Sequence, residues 1–159
     1  MKKSTSLIFA GSMLMAALVT SIAFAHGDVT PQPIDTKTLP TLGADWRDQN
    51  PFSGQAEAIK IGTSAFAENC ARCHGLQAQS GGIAPDLRLL DRDCLDIKNE
   101  VKKKACYTDI DQYFLVSIRH GKVRNGAVYM PPFEGILNQE AMWAIKSYLE
   151  TLRMAAVNK

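Results

Sequence analysis

The spacing of apolar positions divides this chain into stretches of different kinds. Leu7 to Val19 is apolar throughout except at Gly11 and Ser12, and it follows Lys2 and Lys3. Residues 26–52 show neither a period of two nor one of 3.6 and carry Pro31, Pro33, Pro40 and Pro51, which predicts an extended arm with at most a turn of helix over 45–49. Trp46 is the large apolar anchor that would pin this arm to the rest. From Gln55 the period becomes helical: Ile59, Gly62, Phe66 and Cys70 recur at steps of three and four and fall on one stripe. A glycine inside that stripe costs about 1 kcal/mol of helix propensity relative to alanine, which the close approach of another helix would explain.

Beyond residue 74 the chain turns irregular, with Gly75, Gly81, Gly82 and Pro85 close together. Residues 87–106 are densely charged and read as a solvated surface excursion. Thr108 reads as an N-cap, with Asp111 three residues on, opening a helix through Tyr113, Phe114 and Ile118 that stops at Gly121. A loop with Gly126, Met130, Pro131, Pro132 and Gly135 leads to an Asn138 cap and a last helix whose core face is Ala141, Ala144, Ile145, Tyr148, Leu149 and Leu152. No parallel-strand pattern is present. The prediction is an all-α domain, three to four helices joined by long irregular loops, an arrangement that needs something in the middle to pack against.

The chemistry that could fill that middle lies in Cys70-Ala71-Arg72-Cys73-His74. Two thiols three positions apart on a helical turn can both reach the vinyl groups along one porphyrin edge and form thioethers, and the histidine that follows falls under the iron. This predicts one covalent c-type haem, with His74 as an axial ligand. A ligating histidine needs its other ring nitrogen held by an acceptor. The loop over 75–85 is the nearest place to find one.

The apolar stretch at the start has the form of a secretory signal: a basic beginning, a 13-residue apolar run and Ala23-Phe24-Ala25 as a small-x-small cleavage site. Cleavage after residue 25 would start the mature protein at His26 and place it in the periplasm. The run is short for the roughly 20 apolar residues that span a bilayer, so an uncleaved anchor is the weaker reading. The remaining 134 residues suit one domain, with the arm over 26–52 and the working domain over 53–159, including a charged insertion at 88–106. The signal removes two of 18 basic residues and none of 16 acidic ones, leaving a neutral protein with no electrostatic reason to bind nucleic acid. In an oxidising compartment the two cysteines outside the motif, Cys94 and Cys106, are expected to pair. Their disulfide would close a 13-residue ring worth about 3 kcal/mol on the chain-entropy account.

What the haem does depends on the sixth iron position. Met130, Met142, Met154, His26 and His120 are available. Met142 sits beside the core face of the last helix, where packing explains it, and Met154 is in the tail. Met130 precedes Pro131-Pro132, which force it out of the α region and stiffen the loop around it. A thioether on such a loop is the expected ligand, with His120 its main rival. Met and His together would raise the potential and leave an electron carrier; an open position would instead leave a gas-binding or peroxidatic protein.

Cys70-Ala71-Arg72-Cys73-His74, the loop Gly82-Ile83-Ala84-Pro85-Asp86-Leu87 and Met130-Pro131-Pro132-Phe133 ahead of a helix with Trp143 and Tyr148 resemble a class I cytochrome c over residues 53–152. That resemblance implies that the Pro85 carbonyl accepts from His74 and that Gly62 and Phe66 pack against Ile145 and Tyr148. The cysteine-bounded insertion, the long arm and the run from Arg119 to Met130 are similar to periplasmic cytochromes that accept electrons from pyrroloquinoline quinone (PQQ)-dependent alcohol dehydrogenases. This implies such a dehydrogenase as donor, a terminal oxidase or another cytochrome as acceptor, and a carrier that is not itself an enzyme; nothing in the sequence suggests an obligate oligomer, so a monomer is expected. Arg119, Lys122 and Arg124 would then form a basic patch facing an acidic partner, or simply a solvated helix end. A different dehydrogenase as donor remains compatible with the same chemistry. Zinc binding or dithiol exchange by the C-x-x-C fits poorly, since there is no second close Cys/His pair and no βαβ pattern.

Overall fold

The computed structural model describes residues 30–82 and 84–157, with side chains as far as 153. The predicted signal, His26, Ile83 and the side chain of Met154 lie outside the described residues. In chain order the elements are α1 (Ala56–Asn69), α2 (Ala71–His74), a 3₁₀ turn (Leu87–Leu89), α3 (Arg92–Leu95), α4 (Glu100–His120), an antiparallel hairpin of β1 (Lys122–Arg124) and β2 (Ala127–Met130), and α5 (Gln139–Val157). The predominantly helical architecture agrees with the prediction; the hairpin is an addition to it.

The scaffold is the crossing of α1 and α5. Ala58, Gly62, Ala65, Phe66 and Asn69 form the buried stripe of α1, while Ile59 sits half-buried at its border. A methyl group at Gly62 would collide with the Ala144 carbonyl of α5, so only glycine lets the two backbones come this close. One turn further on, Phe66 packs on Tyr148 with ring centroids 5.3 Å apart and planes tilted by 53°, an arrangement that aromatic quadrupoles favour. The predicted crossing of Gly62 and Phe66 with α5 is therefore present, and Gly62 meets the Ala144–Ile145 backbone.

Asn138 caps α5 by accepting from the Ala141 amide at 2.9 Å. The helix is then buried on more sides than its amphipathic pattern indicates: Met142, Trp143 and Ser147 have no exposure at all. The cover is the N-terminal arm. Its Leu42 and Arg47 amides donate to the side chains of Glu140 (2.7 Å) and Gln139 (2.8 Å), and Asn50 Nδ2 donates to Ser147 Oγ (3.0 Å). Trp46 packs against the core as expected, but it is not the most deeply buried anchor. Phe52 and Leu39 are buried at 1% and 7% exposure, whereas Trp46 is only half-buried, with the Arg119 guanidinium 4.0 Å above its ring. The stretch 45–49, allowed at most a turn of helix, forms none.

The other correction concerns the charged stretch. α4 begins at Glu100, capped by Asn99, whose Oδ1 accepts from the Lys102 amide at 3.0 Å. Thr108 lies inside it and donates its hydroxyl to Lys104 O, so it caps nothing. Lysine and glutamate are good helix formers, and a wholly solvated helical face leaves no apolar period to read. Cys94 of α3 and Cys106 of α4 are joined by a disulfide, with Cα atoms 5.7 Å apart. Asp111, expected near a cap, is instead buried and accepts from the Asn50 amide at 2.9 Å.

It belongs to an ionic cluster beneath α5. Lys146, 2% exposed, lies 3.0 Å from Asp111, 3.0 Å from Glu150 and 3.6 Å from Asp91. Arg153 bonds Asp91 at 2.6 Å. Burial alone would lower the Lys146 pKa, but Glu150, Asp111 and Asp91 outweigh it and raise it. The cluster joins the arm, the segment before α3, α4 and α5, because each supplies a partner that the others need.

Candidate functional site

The site begins where α1 ends. Cys70 keeps a helical conformation and donates its amide to Phe66 O at 2.8 Å; Cys73 and His74 then donate back to Cys70 O at 3.1 and 2.9 Å. One tight turn thus presents both thiols and the imidazole together, as the C-x-x-C-H spacing predicts. Cys70 and Cys73 remain unbonded to each other. Burial, reinforced by Cys73, pushes the Cys70 thiol up to about 12, so it is a neutral thiol in an apolar wall.

His74 is 8% exposed, and its Nδ1 lies 3.0 Å from Pro85 O. A carbonyl can only accept, so Nδ1 carries the proton and Nε2 keeps its lone pair for a metal. Burial lowers the His74 pKa, partly offset by the Pro85 bond, which favours the neutral imidazole a ligand must be. The loop that carries Pro85 is closed by Gly75, at φ +79, where a side chain would strike the Gln79 backbone. It is also tied by the Leu87 amide to Ala78 O at 3.0 Å and by the Asp86–Arg88 fork at 3.0 and 2.6 Å.

These groups line a cavity of about 490 Å³, within the usual size of a cofactor pocket. Cys70, Cys73, His74 and Pro85 contribute one wall; Phe114 and Ile118 of α4, and Ile145 and Leu149 of α5, contribute apolar surface; Met130 ends β2, and Pro131 and Phe133 follow it. Met130 is half-buried. Its two rivals among the described residues do not reach the cavity: His120 is exposed and lies 3.6 Å from Glu134, and Met142 is sealed in the core of α5. Among the described residues Met130 is the one methionine in the lining.

Met130 is held from the end of α4. Gly121, at φ +67, caps that helix, and a side chain on it would strike Met130 O and the Pro131–Pro132 backbone. The Phe133 and Glu134 amides donate to Ile118 O and Arg119 O at 3.0 and 3.3 Å. The hairpin that leads into Met130 turns on Asn125 and Gly126, both at positive φ. An Asn-Gly pair between β-branched residues is a hairpin signal, so this element was readable although the stretch reads at first as a loop. The cations of the expected patch part company. Arg119 is engaged by Glu134 at 2.8 and 3.1 Å and by Trp46, while Lys122 and Arg124 line the cavity.

The arrangement suits a flat, apolar, iron-bearing macrocycle. Its walls offer two adjacent thiols, an imidazole with the correct nitrogen free and a thioether, around a space that is otherwise chiefly hydrophobic. A zinc site is a poorer fit, because no group of three Cys, His, Asp or Glu side chains among the described residues is placed to hold a metal ion.

Comparison with known proteins agrees with that chemistry. Residues 57–149 match the family described as cytochrome c oxidase, cbb3-type, subunit III. The chain is 45% identical over 152 residues to cytochrome c550 of Pseudomonas aeruginosa, covering 92% of this chain and 95% of that protein. It is 30% identical over 98 residues to the quinohemoprotein alcohol dehydrogenase ADH-IIG of Pseudomonas putida, covering 62% of this chain but 11% of that protein. No solved structure matches.

Proposed function

The chain belongs to the cytochrome c family, and from that premise we propose that it is a periplasmic carrier of single electrons. In this reading one haem c is attached through Cys70 and Cys73, with His74 and Met130 as axial ligands. The donor is a PQQ-dependent alcohol dehydrogenase and the acceptor a terminal oxidase or another cytochrome. The protein works as a monomer, exported by the signal over 1–25. The observation that carries this is that His74, oriented by Pro85, and Met130 line the same cavity as both thiols. Haem c supplies a one-electron iron couple when bound.

The chain's own residues do the rest. Pro85 fixes the imidazole tautomer and ring angle, so the nitrogen is set before the iron arrives. Met130, a soft and weakly donating ligand, raises the potential relative to a second nitrogen. With His74 and Met130 both holding the iron, little would need to rearrange on electron transfer, and Phe114, Ile118 and Leu149 would give the macrocycle an apolar surround. Val123, Val128 and Tyr129 are large and exposed on the hairpin beside Met130, which supports docking of a partner against this rim. Similarity to part of a protein named as a quinohemoprotein alcohol dehydrogenase supports the choice of donor.

The test is reduction kinetics of the ferric protein mixed with PQQ-dependent alcohol dehydrogenase and alcohol. Rapid reduction is expected, with at least a tenfold loss in the Met130→Ala variant. Reduction no faster than that given by a sugar-oxidising quinoprotein would remove the alcohol dehydrogenase as the physiological donor.

A further inference from the structure

We propose that Lys122 and Arg124 form the carboxylate-binding end of the cavity and hold the two haem propionates; this rests on the haem reading above. The cavity lining holds one carboxylate, Asp86, and Arg88 already occupies it through a two-point bond at 3.0 and 2.6 Å. The cationic residues in the lining are Lys122 and Arg124, and neither meets a carboxylate among the described residues. Both belong to β1 and both line the cavity whereas Val123 does not, although the hairpin register shifts between Lys122 and Val123. Val123 between them is 68% exposed. Lys122 is partly positioned already, with Nζ 4.6 Å above the ring of Tyr113, which also lines the cavity.

The ligand's chemistry supplies the match. Thioethers to Cys70 and Cys73 fix the edge that carries the vinyl groups, and the propionates leave the opposite part of the macrocycle as a pair of carboxylates. A carboxylate at the edge of an apolar cavity needs a charged partner. An ammonium and a guanidinium fork side by side provide one partner for each, the fork in two-point fashion. The same hairpin ends in Met130, so one element would hold both the axial thioether and the polar edge.

The test uses the holoprotein and its Lys122→Gln, Arg124→Gln and double variants. Lys104→Gln, exposed on α4, serves as a control for the same change of charge away from the cavity. Resonance Raman reads the propionate bending band, which follows hydrogen bonding to those carboxylates, and titration reads the reduction potential. The expected result is a shifted band and a lower potential in each single variant, larger in the double variant, absent in Lys104→Gln and restored by Lys122→Arg. A band unchanged in the double variant would overturn the proposal. If such a variant instead lost only its salt-dependent rate with the dehydrogenase, the cations would belong to docking. Haem that fails to remain on denatured wild-type polypeptide would overturn the haem reading, a failure visible before any variant is compared.

Discussion

The two walls of the cavity hold their candidate ligands by different means. The His74 wall grows out of the α1–α5 crossing, where Gly62, Phe66 and Tyr148 interlock and the ionic cluster around Lys146 braces α5 from below. The Met130 wall is an exposed hairpin held to the end of α4 by backbone bonds to Ile118 and Arg119 and by the space that Gly121 leaves. One wall is an extension of the core, the other an attachment to it. Damage to the first is therefore expected to unfold the protein, and damage to the second to change the iron's ligation while the fold persists.

Substitutions that would break this contrast can be ranked. Lys146→Ala strands the buried carboxylates Asp91, Asp111 and Glu150 and should cost about 3–5 kcal/mol in chemical denaturation. Lys146→Met, which keeps the volume, should be nearly as damaging if the stranded charges are what matter, and should stay close to wild type if packing is. The same cluster predicts a pH dependence. Burial raises the Glu150 pKa, but Lys146, Ser53 and Asn50 outweigh it and hold it below its usual 4.5. Its contribution is therefore present above pH 4.5 and lost as pH falls through the lower folded value. A Glu150→Gln variant should lose the acid limb of the stability curve that arises there, and an unchanged limb would assign it to other groups.

Gly62→Ala comes next, at about 3 kcal/mol, because the Ala144 backbone cannot move away as a side chain could. A cost near zero would mean that the helices can separate freely, and the rigid-wall account would fail. Gly121→Ala is strained both by its positive φ and by collision with the Met130–Pro132 backbone, but the exposed hairpin can shift to relieve it, so it should cost less, about 1–3 kcal/mol, yet it should disturb the sixth ligand more than Gly62→Ala does. The iron–thioether absorption of the two variants compares them directly. Arg119→Gln, which removes the partner of the exposed Glu134, should have the smallest effect, with unfolding midpoints nearly unchanged and the Trp46 fluorescence altered.

Much of the His74 wall was legible in the sequence, because spacing dictates it. Cys70 and Cys73 must share one turn, and a glycine on the α1 stripe announces a close helix. The cover of α5 was not legible, since amides of a proline-rich arm carry no hydrophobic period; only the bonds from Leu42, Arg47 and Asn50 to Glu140, Gln139 and Ser147 reveal it. The start of α4 was hidden for a related reason. A helix solvated on all sides at its beginning has only its Asn99 cap and its helix-forming lysines to mark it. Met130 was singled out by the two prolines after it, but the hairpin that delivers it depended on Asn125-Gly126, a two-residue signal inside a stretch otherwise typical of a loop. Lys122 and Arg124 read as surface charge until the hairpin turned them toward the cavity.

The central claim is that His74 and Met130 close the iron between two walls of unequal firmness. The most direct measurement is the iron–thioether absorption band of the ferric protein at neutral pH, recorded for wild type and Met130→Ala with covalent haem retained in both. The account predicts the band in the wild type and its loss in Met130→Ala, with helical circular dichroism unchanged. A wild type without the band, or a Met130→Ala protein that keeps it, would contradict the assignment of Met130.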